Sequence, residues 1–227
     1  MKKQVPGVRC QVLGIALAMC ACSLVAQVAK DANERYQTKE GREAVAKSLS
    51  ASDRDEKQKP RDLVAAIGIK PGMVVADIGT GTGYMLPYLS DAVGSAGRVL
   101  GEDIFPDFLE KARATTKQHK LGNVDFVQGS ETDPALPVNG IDVAMALESY
   151  HHWDYPDKML AALHRELRAG GRLVIVDFHP GAGGMPAHHI RLDEADVIKE
   201  IEANQFRVVS HHEHGSSGQY IAIFEKQ

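Results

Sequence analysis

The chain has 227 residues, 26 Lys+Arg against 30 Asp+Glu, a formal charge of −4 and 44% hydrophobic residues. That balance fits a soluble α/β body and excludes collagen-like, disordered and polytopic membrane chains. It also lacks the basic excess of a nucleic-acid footprint, so no nucleic-acid partner is expected.

Residues 1–29 hold Lys2, Lys3 and Arg9 and no acid, and Val12 to Ala26 carries no charge. A basic start, an apolar run and then small residues form the pattern of an export signal. The run is short for a membrane span, which needs about 20 apolar residues. Residues 1–29 are therefore expected to be a signal peptide or membrane anchor. The protein is then periplasmic or otherwise exported, or it touches a membrane only through this segment. Cys10, Cys20 and Cys22 all lie here, so the remaining body has no cysteine, hence no disulfide framework, and is three charges more negative.

Residues 30–66 read as a polar helical segment placed as a lid, with Pro60 opening a short helix that Gly68 closes. From residue 67 strands and helices alternate. Met73 to Ile78 is a buried strand; a glycine run at 79–83 and a helix from Tyr84 to Ala92 follow. Strand Arg98–Asp103, helix Phe105–His119, strand Val124–Gln128 and strand Ile141–Leu147 come next. Helix Asp157–Arg168, strand Arg172–Phe178, helix Asp193–Ala203 and a strand pair at 207–212 and 219–224 complete the pattern, with Gly215 to Gly218 as the last turn. This alternation predicts an α/β, Rossmann-like three-layer sandwich. Its seven-stranded sheet is mostly parallel, with an antiparallel last strand. Ligands of such sheets bind at the carboxyl ends of the strands.

The segment Asp77-Ile78-Gly79-Thr80-Gly81-Thr82-Gly83 joins a strand to a helix. Dinucleotide folds use G-x-G-x-x-G; here the spacing is G-x-G-x-G and an acid precedes it. A carboxylate there repels a pyrophosphate and suits a cationic ligand, which argues against a nicotinamide oxidoreductase. Glu102-Asp103 ends the second strand, where an acid can accept both ribose hydroxyls; Asp103 is preferred over Glu102.

Four stretches, VVADIGTGTGY, VLGEDI, DVAMALESYHHW and AGGRLVIVD, resemble in order the motifs of class I S-adenosylmethionine-dependent methyltransferases. The resemblance covers residues 53–227. It is similar in particular to small bacterial proteins with an R-D-x-x-x-K-P approach (Arg54, Asp55, Lys59, Pro60), a D-P-x-L-P loop (Asp133, Pro134, Leu136, Pro137) and a Y-H-H element (Tyr150, His151, His152). Ala169 departs from the proline common before Gly-Gly. The resemblance implies S-adenosylmethionine as cofactor and a small-molecule acceptor. It implies that Gly79, Thr80, Gly81 and Gly83 receive the methionine part and that Asp77 holds the ammonium. Asp103 would take the ribose, Ile104 would pack on the adenine and Ser130 and Glu131 would contact its edge. Glu148 completes the implied cofactor set.

The acceptor pocket is expected at 148–153, with Tyr150, His151 and His152 as catalytic candidates. An acceptor that carries a proton needs a base near neutral pKa, which histidine supplies. The alternatives are a non-catalytic binder of S-adenosylmethionine or S-adenosylhomocysteine and, further off, the oxidoreductase. His179, His188, His189, His211, His212 and His214 show no H-E-x-x-H spacing, so no metal is expected. His189 and Arg191 are expected instead to line the acceptor pocket.

Overall fold

A computed structural model describes residues 27–215 and 218–227 together with Met1. The export-signal expectation for residues 2–26, and Ser216 and Ser217 of the last turn, lie outside the described residues.

The strands are β1 (Val74–Ile78), β2 (Arg98–Asp103), β3 (Val124–Gln128), β4 (Ile141–Leu147), β5 (Leu167–Phe178), β6 (Phe206–His214) and β7 (Gln219–Lys226). They form one sheet in the order β3-β2-β1-β4-β5-β7-β6. The first five run parallel, and β7 is antiparallel between β5 and β6. Strands buried on both faces read as continuous apolar runs, which is why β1, β4 and β7 are so legible. The expected seven-stranded sheet with an inserted antiparallel strand is the one observed.

Helices α1 (Lys39–Leu49), α2 (Arg54–Gln58), α3 (Pro60–Ile67), α4 (Leu86–Val93), α5 (Pro106–Gln118), α6 (Pro156–Glu166) and α7 (Glu194–Glu202) complete the layers. One core lies between the sheet and α6 and α7, built on Leu160, Leu163, Ile201, Phe206 and Phe224. The other lies beneath α3, α4 and α5, built on Leu63, Leu86, Leu89 and Ala112.

Two helix boundaries differ from expectation by two residues. Helix α4 starts at Leu86 rather than Tyr84, because Gly83 at φ 81° is still in the turn and Pro87 sits in the first helical turn. Helix α6 stops at Glu166, two residues early, and the Gly170-Gly171 turn is absorbed into an irregular start of β5, where Ile141 pairs with Leu167 and Val143 with Arg172.

The N-terminal segment is tied onto the body earlier than residue 30. Val28 donates its N–H to the carbonyl of Asp154 at 3.2 Å, and Ala29, itself buried, donates to Asp154 Oδ1 at 3.1 Å. The R-D-x-x-x-K-P stretch is a clamp. Asp55 accepts from the hydroxyls of Tyr84 and Tyr88 at 2.8 and 2.7 Å, and the Arg54 guanidinium stacks 4.0 Å from the Tyr84 ring centre. Lys59, at φ 42°, ends α2, and Pro60 opens α3.

Candidate functional site

The carboxyl ends of β1, β2 and β4 open into one cavity of about 150 Å³. Its floor is the turn after β1, and its roof comes from the N-terminal segment through Asn33, Tyr36, Leu49 and Arg54.

Gly79 and Gly81 adopt φ values of 71° and 56° in that turn. A side chain at Gly79 would strike Ser149 Oγ at 2.5 Å, so only glycine lets the β1 turn press against the β4 turn. Gly81 donates its N–H to Asp103 Oδ2 at 2.9 Å, and Phe105 donates to Oδ1 at 2.9 Å. Each oxygen of Asp103 keeps a second acceptor site, as a ribose diol requires. Ile104, Ser130 and Glu131 border the same cavity.

Gly83 stands apart from Gly79 and Gly81, which line the cavity. A Cβ there would meet Leu86 Cδ1 at 2.9 Å and the Ala112 Cα at 3.0 Å, so Gly83 seats α5 against the turn and lies away from the cavity wall. Asp77 is buried beneath the turn and accepts from Thr80 Oγ1 at 2.7 Å. Tyr150 is a core residue whose hydroxyl donates to Glu200 Oε2 at 2.7 Å on α7, and it lies off the cavity wall. Arg191, expected in the acceptor pocket, meets the same carboxylate and is held outside the cavity wall.

The cavity concentrates negative charge. Burial pushes Asp77 and Asp103 up to about 6 and lifts Glu102 and Glu148 above the ordinary carboxylate range. Arg54 is the cation among them, with its pKa lowered by burial. It lies 3.7 Å from Glu148, which also accepts from Gln219 at 2.8 Å and from Gln58. Glu148 sits at φ 51°, a strained conformation for a residue with a side chain. Glu102 Oε1 is buried and accepts no hydrogen bond among the described residues. An acid-rich wall, an orphaned acceptor and a single guanidinium fit a ligand that carries an ammonium, a sulfonium and a carboxylate.

At the far end stand the histidines. His151 is buried; its Nδ1 lies 2.7 Å from Asp177 Oδ1, and its backbone N–H donates to Oδ2. His152 borders the cavity. Its Nδ1 lies 2.9 Å from Asn33 Oδ1, and its Nε2 lies 3.5 Å from the Tyr36 hydroxyl. Burial and the neighbouring His151 and His189 push His152 well below the usual histidine value. Burial raises the Tyr36 phenol to about 12, so it stays protonated. Tyr36, Phe105, Phe108 and Trp153 give this end an aromatic wall. Asn33, Tyr36, Gln58 and Asp177 were not legible as site residues, since each acts through a partner far away in sequence.

This strand order, the acid-bound glycine turn and the cation-seeking cavity define the class I fold of S-adenosylmethionine-dependent methyltransferases. The family described as methyltransferase domain matches residues 69–227, and the chain belongs to it. The ubiquinone/menaquinone biosynthesis C-methyltransferase UbiE of Pseudoalteromonas translucida (strain TAC 125) is 32% identical over 133 residues, 57% of this chain and 50% of that protein. The chain spans about half the length of the curated relatives it matches. A crystal structure of a SAM-dependent methyltransferase from Aquifex aeolicus superposes with a TM-score of 0.75 at 28% identity, covering 80% of this chain and 96% of that one. The [4+2]-cyclase SpnF shares the fold alone, with a TM-score of 0.64 at 18% identity over 74% and 81% of the two chains.

Proposed function

We propose that the protein moves a methyl group from S-adenosylmethionine to a small, flat, partly apolar acceptor seated against Tyr36, Phe105 and Trp153. The observation that carries this reading is one cavity with Asp103 and the Gly79–Gly81 turn at one end and His152 at the other. The bound cofactor supplies an activated methyl on a sulfonium. The chain's own work is to hold donor and acceptor in line and to exclude water, and alignment alone is worth about 7–11 kcal/mol in ideal cases.

Asp103 would accept the ribose hydroxyls, and Ile104 would flank the adenine. Ser130 and Glu131 would meet the adenine edge. Asp77 and Glu148 would favour the cationic end, and Arg54 would pair with the ligand's carboxylate. His152 would act at the acceptor. Asn33 directs its amide N–H groups to the carbonyl of His152 at 2.9 Å and to Asp154 Oδ2 at 3.1 Å, so its oxygen faces the ring. The ring therefore carries its proton on Nδ1 and turns the Nε2 lone pair toward Tyr36 and the cavity. That lone pair can take the proton of an acceptor hydroxyl, thiol or amine.

Titration of the full chain with S-adenosylhomocysteine by calorimetry tests the cofactor half of the reading, and absence of binding would overturn it. Transfer of labelled methyl to a panel of phenols, thiols and amines tests the acceptor half. Export is part of the same proposal, supported by the basic start and apolar run of residues 1–29. Cell fractionation checks it; recovery of the uncut chain with the cytosolic fraction would refute it.

A further inference from the structure

We propose that His151, His152 and His189 form a binding site for one divalent transition-metal ion, next to the acceptor end of the methyl-transfer cavity, which His152 borders. The proposal rests on the reading of that cavity as the transfer site and gives it a second component. One ligand nitrogen from each ring lies within 4.8 Å of the other two. Ring centres are 4.1 Å apart for His151 and His152, and 5.2 and 5.6 Å from each of these to His189. Small rotations of the rings draw such nitrogens in to the bonds of about 2.0–2.1 Å that imidazole makes to Zn²⁺.

Proximity of three histidines is not by itself a metal site; the outer partners point to one. A ligating histidine usually donates its other N–H to a carboxylate or an amide oxygen, which fixes the ring and frees the ligating lone pair. Two of the three rings are held that way. Asp177 is fixed in turn by the N–H groups of His151 and Phe178 at 3.1 and 2.9 Å, and it faces His151 Nδ1. Asn33 is fixed by Asp154 and the His152 carbonyl, and it faces His152 Nδ1. Carboxylate and oriented amide oxygen both accept, so both Nδ1 atoms carry protons and both lone pairs lie on Nε2; the Tyr36 hydroxyl, 3.5 Å from His152 Nε2, is the group an ion would displace. No hydrogen bond to the His189 ring occurs among the described residues, and its three-residue turn, Ala187–His189, brings that ring beside the pair.

Three imidazoles suit Zn²⁺, Fe²⁺, Co²⁺ or Ni²⁺ rather than Mg²⁺ or Ca²⁺, which prefer oxygen. Three protein ligands leave coordination positions open, as catalytic sites do. An acceptor hydroxyl bound there gives up its proton to solvent near neutral pH, because the ion stabilises the oxyanion. The oxygen–methyl bond then forms as the sulfur–methyl bond breaks, and the sulfonium leaves as a neutral thioether. His152 would then serve as ligand to the ion that lowers the acceptor's pKa, in place of taking the proton itself.

Untagged full chain, stripped of metal, is titrated with Co²⁺ and with Zn²⁺, reading Co²⁺ visible absorption and calorimetric stoichiometry. One ion per chain is expected, with absorption bands of a low-coordinate nitrogen site. His189→Ala should weaken binding by more than roughly tenfold, since one of three ligands is lost, and His188→Ala, on the same exposed turn, should leave it unchanged. His189→Ala lies on a surface turn, so the test does not depend on the buried His151 surviving substitution. Binding that is unaffected by His189→Ala overturns the site. So does binding lost in His179→Ala, which would place the ion at the outer group of His179, Glu194 and Glu213. Absence of saturable binding also overturns it. S-adenosylhomocysteine binding, read separately, survives loss of the metal site and fails only if the methyltransferase reading fails.

Discussion

Asp77→Asn isolates the cost of the acidic floor. The carboxyl is 3% exposed and accepts one side-chain hydrogen bond, from Thr80. Burial raises its pKa from 3.8 to about 6, against the opposing pull of Thr80 and Arg54. A folded-state value above the unfolded one means that the native protein binds the proton more tightly. The penalty is therefore absent below about pH 4, grows through about pH 6 and is constant above it. A shift from 3.8 to about 6 corresponds to about 3 kcal/mol at neutral pH. Asparagine keeps an acceptor for Thr80 and removes the charge, but its amide N–H groups can be left unsatisfied at a cost of about 1–3 kcal/mol. That cost is the same at every pH, so the informative quantity is a difference of differences. The stability change on Asp77→Asn should be more favourable by about 3 kcal/mol at about pH 7.5 than at about pH 4. Urea unfolding followed through Trp153, the single tryptophan, measures it. A change in stability equal at the two pH values would refute the assignment of a strained, ionised Asp77. Because the substitution also removes negative charge that favours a cationic ligand, S-adenosylhomocysteine binding should weaken while stability at neutral pH rises.

Asp103→Ala should reduce S-adenosylhomocysteine affinity by roughly a hundredfold, two hydrogen bonds to a charged acceptor being lost; calorimetry with equal affinities would remove the ribose assignment. His152→Ala should lower turnover by about a hundredfold or more with little change in cofactor affinity, checked by kcat beside the calorimetric Kd. Arg54→Met leaves Glu148 without its ion pair and should destabilise the fold by about 1–3 kcal/mol. Adding Glu148→Gln should restore part of that loss, and denaturation of the single and double variants reads the coupling. Gly83→Ala combines a φ of 81° with contacts to Leu86 and Ala112 and should cost at least about 1–3 kcal/mol in thermal unfolding.

What could be read in the residues was whatever chemistry is local. Strands β1, β4 and β7 announce themselves because both faces are covered, and the turn 79–83 because its glycines need positive φ. The Asp103 position follows from the end of a strand. What could not be read depends on long-range pairing. Tyr150 and His151 are adjacent, yet one turns to Glu200 on α7 and the other to Asp177 at the end of β5. No local pattern separates them. The same holds for Asn33, whose contacts to His152 and Asp154 span more than a hundred residues, and for Gly83, whose need for glycine comes from helix α5.

The place of β7 in the sheet has a consequence for how the protein comes into being. Strand β7, the last in chain order among the described residues, is inserted between β5 and β6, and its first residue, Gln219, donates to Glu148 at the cavity. The ribosome delivers the amino end first, so β7 must follow β6 out before the sheet closes and this site exists. A stop at or before Gln219 would remove an interior beam of the sheet and a hydrogen-bond partner of Glu148 together.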